Sequence, residues 1–218
     1  MPDLALADIP HVAASDLAEM IAPERTALVI VDIQVDWAAP QGLLGQYGVD
    51  MSEPHAAIDK AEELVSTARA AGATLAFVRV VTTEETDSDA LKTFYARRGQ
   101  PGGQGICRKG HGADYYRLFP EPGDIEVEKV LYDCFHGTDM EEQLRSRGID
   151  TLLIAGLSTD CCVDAAARSA FHRNFDVFVV SDATAAYEPG LHEATLRVLS
   201  KNCALIADTQ AVKAAWRP

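Results

Sequence analysis

Positive charge is scarce in this chain. Lys and Arg number 19 against 33 Asp and Glu, for a formal net charge of −14. Binding to nucleic acid or to an anionic membrane needs basic surface, so neither kind of partner is expected. Long apolar runs are missing too: none approaches the roughly 20 residues of a membrane-spanning helix. The opening "MPDLALADIP" has neither the basic segment nor the apolar core of a signal peptide, and a cytoplasmic location is the expectation. Cysteines are few and odd in number, at Cys107, Cys134, Cys161, Cys162 and Cys203. Without an export signal that count argues against a disulfide framework. The adjacent Cys161 and Cys162 are poorly spaced to bridge each other, because neighbouring Cα atoms stand about 3.8 Å apart. The six histidines (His11, His55, His111, His136, His172 and His192) lack zinc-ligand spacing, and surface or packing roles are expected for them. Cys107 and His111 lie close in one loop, but two ligands do not make a metal site. The loop "GGQGICRKGHG" has neither a G-x-G-x-x-G fingerprint nor the Lys-Ser/Thr ending of a P-loop. No metal and no cofactor is expected.

What is present is enough apolar material for a large core. Hydrophobic residues make up 48% of 218 residues and charged ones 24%, which fits one domain, residues 1–218 with its core over about 26–208. "TALVIVDI" (26–33) is a continuous apolar run, as in a strand buried on both faces. "PHAAIDKAEELVSTARAA" (54–71) carries Ile58, Ala61, Leu64, Val65 and Ala68 at helical spacing, with Pro54 to open it and Gly72 to stop it. Strands follow at 73–81, 123–130, 151–157, 176–182 and 203–207, with helices at about 87–97, 138–147, 160–174, 190–201 and the C-terminal end. Repeated strand–helix units predict a parallel sheet with helices on both faces, a three-layer α/β sandwich. The Gly-rich stretch 98–112 reads as a flexible active-site or interface loop.

Ligands in such sheets gather at the carboxyl ends of the strands. There the sequence places Asp32, Lys129 and the run Ser158–Cys162. A thiol attacks a carbonyl as thiolate, and a helix N-terminus or a neighbouring cation lowers its pKa. Thr159 or Asp160 is positioned to cap the next helix, with the cysteines in its first turn, where negative charge is favoured. Asp32 can then accept the thiol proton, with Lys129 as counter-charge. Backbone N–H groups of the turn can bind an oxyanion. An ordinary ion pair and a packed cysteine are the alternative. Spacing alone chooses neither between these readings nor between the two cysteines.

The pieces "VIVDIQVDW", "EKVLYDCFHGTDMEEQLRSRGI", "LLIAGLSTDCCVDAAARSAF" and "VVSDATAA" occur together and in order. With them the chain, from about 26 to 208, resembles the isochorismatase-like cysteine hydrolases. The resemblance implies a catalytic triad of Asp32, Lys129 and Cys162, Cys162 being the cysteine that directly precedes Val163 in the family pattern. It implies a cis peptide between Leu157 and Ser158, an oxyanion hole from the N–H groups of Ser158 and Cys162, and a six-stranded, mostly parallel sheet ordered 3-2-1-4-5-6. It also implies a homo-oligomer, dimer or tetramer.

Members that cleave isochorismate typically lack the cysteine, so Cys162 favours C–N hydrolysis through an acyl enzyme. Nicotinamidase-like members carry an Asp-x-His metal motif after the second strand, where this chain reads "RVVTTEETDSD" with no histidine. The stretch from Lys129 to Thr138 resembles the ureidoacrylate amidohydrolase, biuret hydrolase and N-carbamoylsarcosine amidohydrolase group. The substrate implied is a small amide, ureido or carbamoyl compound that releases ammonia, with Tyr132, Phe135, Trp37 and Phe94 lining its pocket. The rival from another class is a redox-active thiol protein using Cys161 and Cys162.

Overall fold

The computed structural model describes residues 9–217, Pro189 by its backbone alone. Most of the stretch read above for a leader therefore lies outside the described residues. Six strands form one parallel sheet: β1 (Thr26–Val31), β2 (Thr74–Val80), β3 (Ile125–Lys129), β4 (Thr151–Leu157), β5 (Asp176–Ala185) and β6 (Leu205–Ala207). Their spatial order is 3-2-1-4-5-6, every pairing being parallel. The helices are α1 (Ala14–Met20), α2 (Val35–Ala38), α3 (Leu43–Gln46), α4 (Ser52–Ala71), α5 (Asp89–Arg97), α6 (Met140–Ser146), α7 (Asp164–His172), α8 (Pro189–Asn202) and α9 (Thr209–Ala215).

The layers follow from the period of two along each strand. In β1, Ala27, Val29 and Val31 face the core shared with α6, α7 and α8. Leu28 and Ile30 face the opposite core, with α1, α4 and α9. In β4, Leu152 and Ile154 divide from Leu153, Ala155 and Leu157 in the same way. Two buried faces explain why these strands read as unbroken apolar runs. The edge strand β3 instead alternates, with Glu126 and Glu128 exposed and Arg79 pairing Glu128 at 2.6 Å. Charge on an edge strand discourages further strand addition.

Two glycines sit where the backbone geometry favours them over residues with a side chain. Gly72 ends α4 at φ +72, the left-handed cap expected from the sequence. Gly156 sits in β4 at φ +115, where an added Cβ would stand 2.1 Å from the Val31 carbonyl oxygen. That close approach draws the ends of β1 and β4 together, and both lead into the site.

The helix expected directly after β4 is altered at its start. Thr159–Val163 form a π-helical turn, and regular α-helix begins only at Asp164. Neither Thr159 nor Asp160 caps it: Ser158 holds the cap position without a side-chain bond, and the Thr159 hydroxyl meets His192 Nδ1 at 2.8 Å. The Gly-rich stretch is also held more firmly than the sequence suggests. Arg108 donates to both oxygens of Asp87 at 2.7 Å, and the Cys107 N–H donates to Asp36 Oδ2 at 2.8 Å. Thr82 and Lys109 add backbone bonds.

Candidate active site

Asp32 stands just past the end of β1 with φ +51, its N–H donating to the Val78 carbonyl. A non-glycine residue in this left-handed region is uncommon and marks a sharp turn of the chain. Here the turn leaves the carboxylate at the carboxyl edge of the sheet. Lys129, the last residue of β3, reaches the same point, and Lys129 Nζ lies 2.9 Å from Asp32 Oδ2. Both side chains are almost wholly buried, at 0% and 2% exposed. The ammonium also donates to the Tyr132 carbonyl at 2.7 Å. Apart from this ion pair, neither Asp32 oxygen accepts a well-formed hydrogen bond.

Cys162 completes the cluster from the π turn. It is 5% exposed, and its thiol is close enough to Asp32 to stabilise the carboxylate. Burial pushes the Asp32 carboxyl above its ordinary range, while Lys129 and the thiol pull it back. For Lys129, burial favours the neutral amine, but Asp32 and the nearby thiols outweigh it and hold the ammonium. The Cys162 thiol is pushed well above the ordinary range by its hydrogen bond with Cys161, by burial and by the facing carboxylate. This corrects the expectation of a thiolate stabilised by a helix start. The first turn is π-helical, and the hydrogen bond with Cys161, burial and the Asp32 carboxylate all favour the protonated thiol.

The Leu157–Ser158 peptide is cis. The N–H groups on either side of Cys162, those of Cys161 and Val163, both donate to the Ser158 carbonyl at 3.1 Å. A cavity of about 560 Å³ opens over Asp32, Ser158, Cys161 and Cys162. That volume lies within the range of small-molecule pockets. Trp37, Phe94 and Tyr132 line it, as expected. Phe135 does not. It is buried in the core, with its ring 5.9 Å from Phe175 and the Arg173 guanidinium 5.0 Å from its centre. The bond from its N–H to Asp133 Oδ1 turns it inward, while Asp133 Oδ2 accepts from Ser169 on α7.

Other lining residues were not singled out from the sequence: Tyr187, Arg98, Gln104 and Thr82. Tyr187 donates to the Trp37 carbonyl at 2.8 Å and so fixes that tryptophan's backbone. Gln34, buried two residues after Asp32, donates to the carbonyls of Val80 and Ala113 and accepts from the Val80 N–H at 2.8 Å. It had a sequence signal, a polar residue within the apolar "VIVDIQVDW". Arg98 and Gln104 had none, because they belong to an irregular segment. Among the described residues, no group of three or more His, Cys, Asp and Glu side chains could hold a metal ion, and no helix is long and apolar enough to cross a membrane.

The model of the isochorismatase domain matches residues 26–211. Ureidoacrylate amidohydrolase RutB of Methylorubrum extorquens is 34% identical over 213 residues, covering 88% of this chain and 83% of that protein. A crystal structure of a cysteine hydrolase from Pseudomonas syringae pv. phaseolicola superposes with a TM-score of 0.79 at 24% identity, over 90% of this chain and 94% of that one. N-carbamoylsarcosine amidase from Thermoplasma acidophilum superposes with a TM-score of 0.64 at 25% identity, over 85% and 96%.

Proposed function

The chain belongs to the isochorismatase family, and we propose that within it this protein is a cysteine amidohydrolase of small ureido or carbamoyl compounds. The observation that carries this reading is the buried cluster of Asp32, Lys129 and Cys162, of which Asp32 and Cys162 line the cavity and Lys129 lies behind them, paired with Asp32. The name of the amidohydrolase relative and that of the carbamoylsarcosine amidase support the substrate class.

The chemistry starts from a neutral thiol beside an ionised carboxylate. As the Cys162 sulfur attacks the carbamoyl carbon, its proton passes to Asp32, which burial raises above the ordinary carboxyl range and so makes a stronger base than an exposed carboxylate. The carbonyl π electrons move to oxygen, and the oxyanion is held by the N–H groups of Ser158 and Cys162. Its collapse breaks the C–N bond, with Asp32 returning the proton to the departing nitrogen so that ammonia leaves. The remaining S-acyl enzyme is opened by water, which gives one proton to Asp32 and its hydroxide to the carbon. That proton then returns to sulfur. Throughout, the Lys129 ammonium offsets the negative charge that alternates between carboxylate and thiolate. No step calls on a metal or cofactor.

The reading takes the whole chain as one cytoplasmic domain that assembles into a dimer or tetramer, and size-exclusion chromatography with light scattering checks the assembly. The function itself is tested by screening ammonia release over small amides, ureas and carbamoyl compounds. Turnover of a ureido or carbamoyl compound that is lost in Cys162→Ser supports it. Silence across the panel, or equal turnover by the variant, overturns it.

A further inference from the structure

The turn that presents Cys162 carries few ties of its own. The N–H groups of Cys161 and Val163 bond the Ser158 carbonyl, and the Asp164 N–H bonds the Thr159 carbonyl, all within the turn and the first residue of α7. π-helical turns are rare, and a rare backbone conformation persists where its surroundings fix it. Apart from the contact of the Cys162 thiol with Asp32, one side-chain hydrogen bond joins Ser158–Val163 to the rest of the protein among the described residues. It links the wholly buried Thr159 to His192, the fourth residue of α8, with Oγ1 and Nδ1 2.8 Å apart.

Neither partner is among the residues that line the substrate cavity. His192 lines a separate cavity of about 420 Å³, together with Glu53, Lys60, Asp182 and Glu193. Burial holds its ring below the ordinary range, against the pull of Glu193, Glu53 and Asp160. The ring is therefore neutral at pH 7, with one nitrogen protonated and the other free to accept. A hydroxyl both donates and accepts, so the bond to Thr159 stands in either tautomer. The helix behind the bond is well anchored: Leu196 and Leu199 of α8 share one buried core with Cys162 and Val163. Apolar packing of this kind holds the turn in place but has no direction. A hydrogen bond has direction, and it fixes how the turn is rotated.

We propose that His192 is a positioning residue: its bond to Thr159 sets the rotation of the π turn, so that the Cys162 sulfur is held against Asp32 and aimed into the substrate cavity. The proposal rests on the amidohydrolase reading for its effect on turnover, whereas the placement of the thiol can be measured without any substrate. Attack needs the sulfur in line with the reacting carbon, and a misplacement of about 1 Å is enough to cost about 10²-fold in rate.

The test follows ammonia release from the ureido or carbamoyl compound found in the screen, and separately the rate of iodoacetamide labelling at about pH 9, read at Cys162 by mass spectrometry. Circular dichroism and urea unfolding check that each variant is folded. Thr159→Val keeps the side-chain shape and removes the hydroxyl. It should lower kcat by about ten- to a hundredfold with KM within about twofold, and His192→Phe should do the same. Thr159→Ser should stay within about threefold of the parent, and so should His192→Asn, whose amide stands near the Nδ1 position. His192→Gln, whose amide reaches the Nε2 position instead, should behave like His192→Phe. The double variant Thr159→Val/His192→Phe should be little worse than either single one, because each loses the same bond. In both single variants Cys162 labelling should quicken by about threefold or more, as the thiol leaves the carboxylate that opposes its ionisation. If no compound is turned over, the amidohydrolase reading fails and the labelling rates alone decide the placement. The proposal is overturned by Cys162 labelling at the parent rate in Thr159→Val and His192→Phe, by a loss carried in KM, by equal losses in His192→Asn and His192→Phe, or by losses that multiply in the double variant.

Discussion

Replacing Lys129 with methionine removes the charge of a buried pair while keeping most of the side-chain volume. At 2.9 Å and an effective dielectric of about 20, the attraction is about 6 kcal/mol, most of it offset by several kcal/mol of desolvation for each ion. The net worth of the pair is small, but breaking it is costly, because Asp32 is left buried alone. Proton uptake limits the cost. Holding a carboxyl neutral at pH 7, against an unfolded value of about 3.9, costs about 1.36 × 3.1, or roughly 4 kcal/mol. The sign follows from the raised folded pKa of the orphaned carboxyl. The penalty is absent below the unfolded value and grows with pH until the folded pKa is reached. At pH 5 the same sum gives about 1.5 kcal/mol. Lys129→Met should therefore lose about 4 kcal/mol to urea at pH 7, or about 8–16 °C in Tm for a chain of this size, and much of the gap should close at pH 5. Adding Asp32→Asn should recover more than half of the loss at pH 7, while every one of these variants stays inactive. A gap that is constant or wider at pH 5, or a double variant no more stable than Lys129→Met, would refute the reasoning.

Asp32→Asn should lower turnover by about 10²–10⁴, and Cys162→Ala by at least as much; because they act in one proton circuit, the double variant should be little worse than Cys162→Ala. Cys161→Ala should stay within about tenfold of the parent, since the expected loss is one of packing, about 1 kcal/mol; a dead but folded Cys161→Ala would move the nucleophile. Brief iodoacetamide treatment at pH 7, read by mass spectrometry, should label the more exposed Cys161 before the buried Cys162, whose labelling should rise only beyond the ordinary thiol range near about 8.5; prompt labelling of Cys162 would restore the thiolate expected from the sequence. Gly156→Ala places a methyl 2.1 Å from the Val31 carbonyl oxygen at φ +115. It should cost about 3 kcal/mol or more in urea unfolding, and an unchanged midpoint would contradict the close approach of β1 and β4.

The sequence by itself determined what depends on local pattern. Continuous apolar runs marked the doubly buried strands, helical spacing marked α4, and Gly72 marked its end. With the alternation of strand and helix, these specify a parallel sheet, and the residues at its carboxyl edge, Asp32, Lys129 and the pair Cys161–Cys162, were legible as candidates because strand ends are where such sheets present side chains, the choice of Cys162 coming only from the family resemblance. What the sequence could not carry are properties set by residues distant along the chain. Phe135 looked like a pocket aromatic, but Asp133, held by Ser169 on α7, turns it into the core. The cap expected at Thr159 was lost to His192, 33 residues away. The raised pKa of the Cys162 thiol comes first from its neighbour Cys161, and then from burial and from the Asp32 carboxylate, which folding brings from 130 residues away and which helix position alone does not reveal. Arg98 and Gln104 lie in a segment with no periodicity to read. Only the tertiary structure brings them to the cavity, through side-chain anchors whose partners no spacing rule connects.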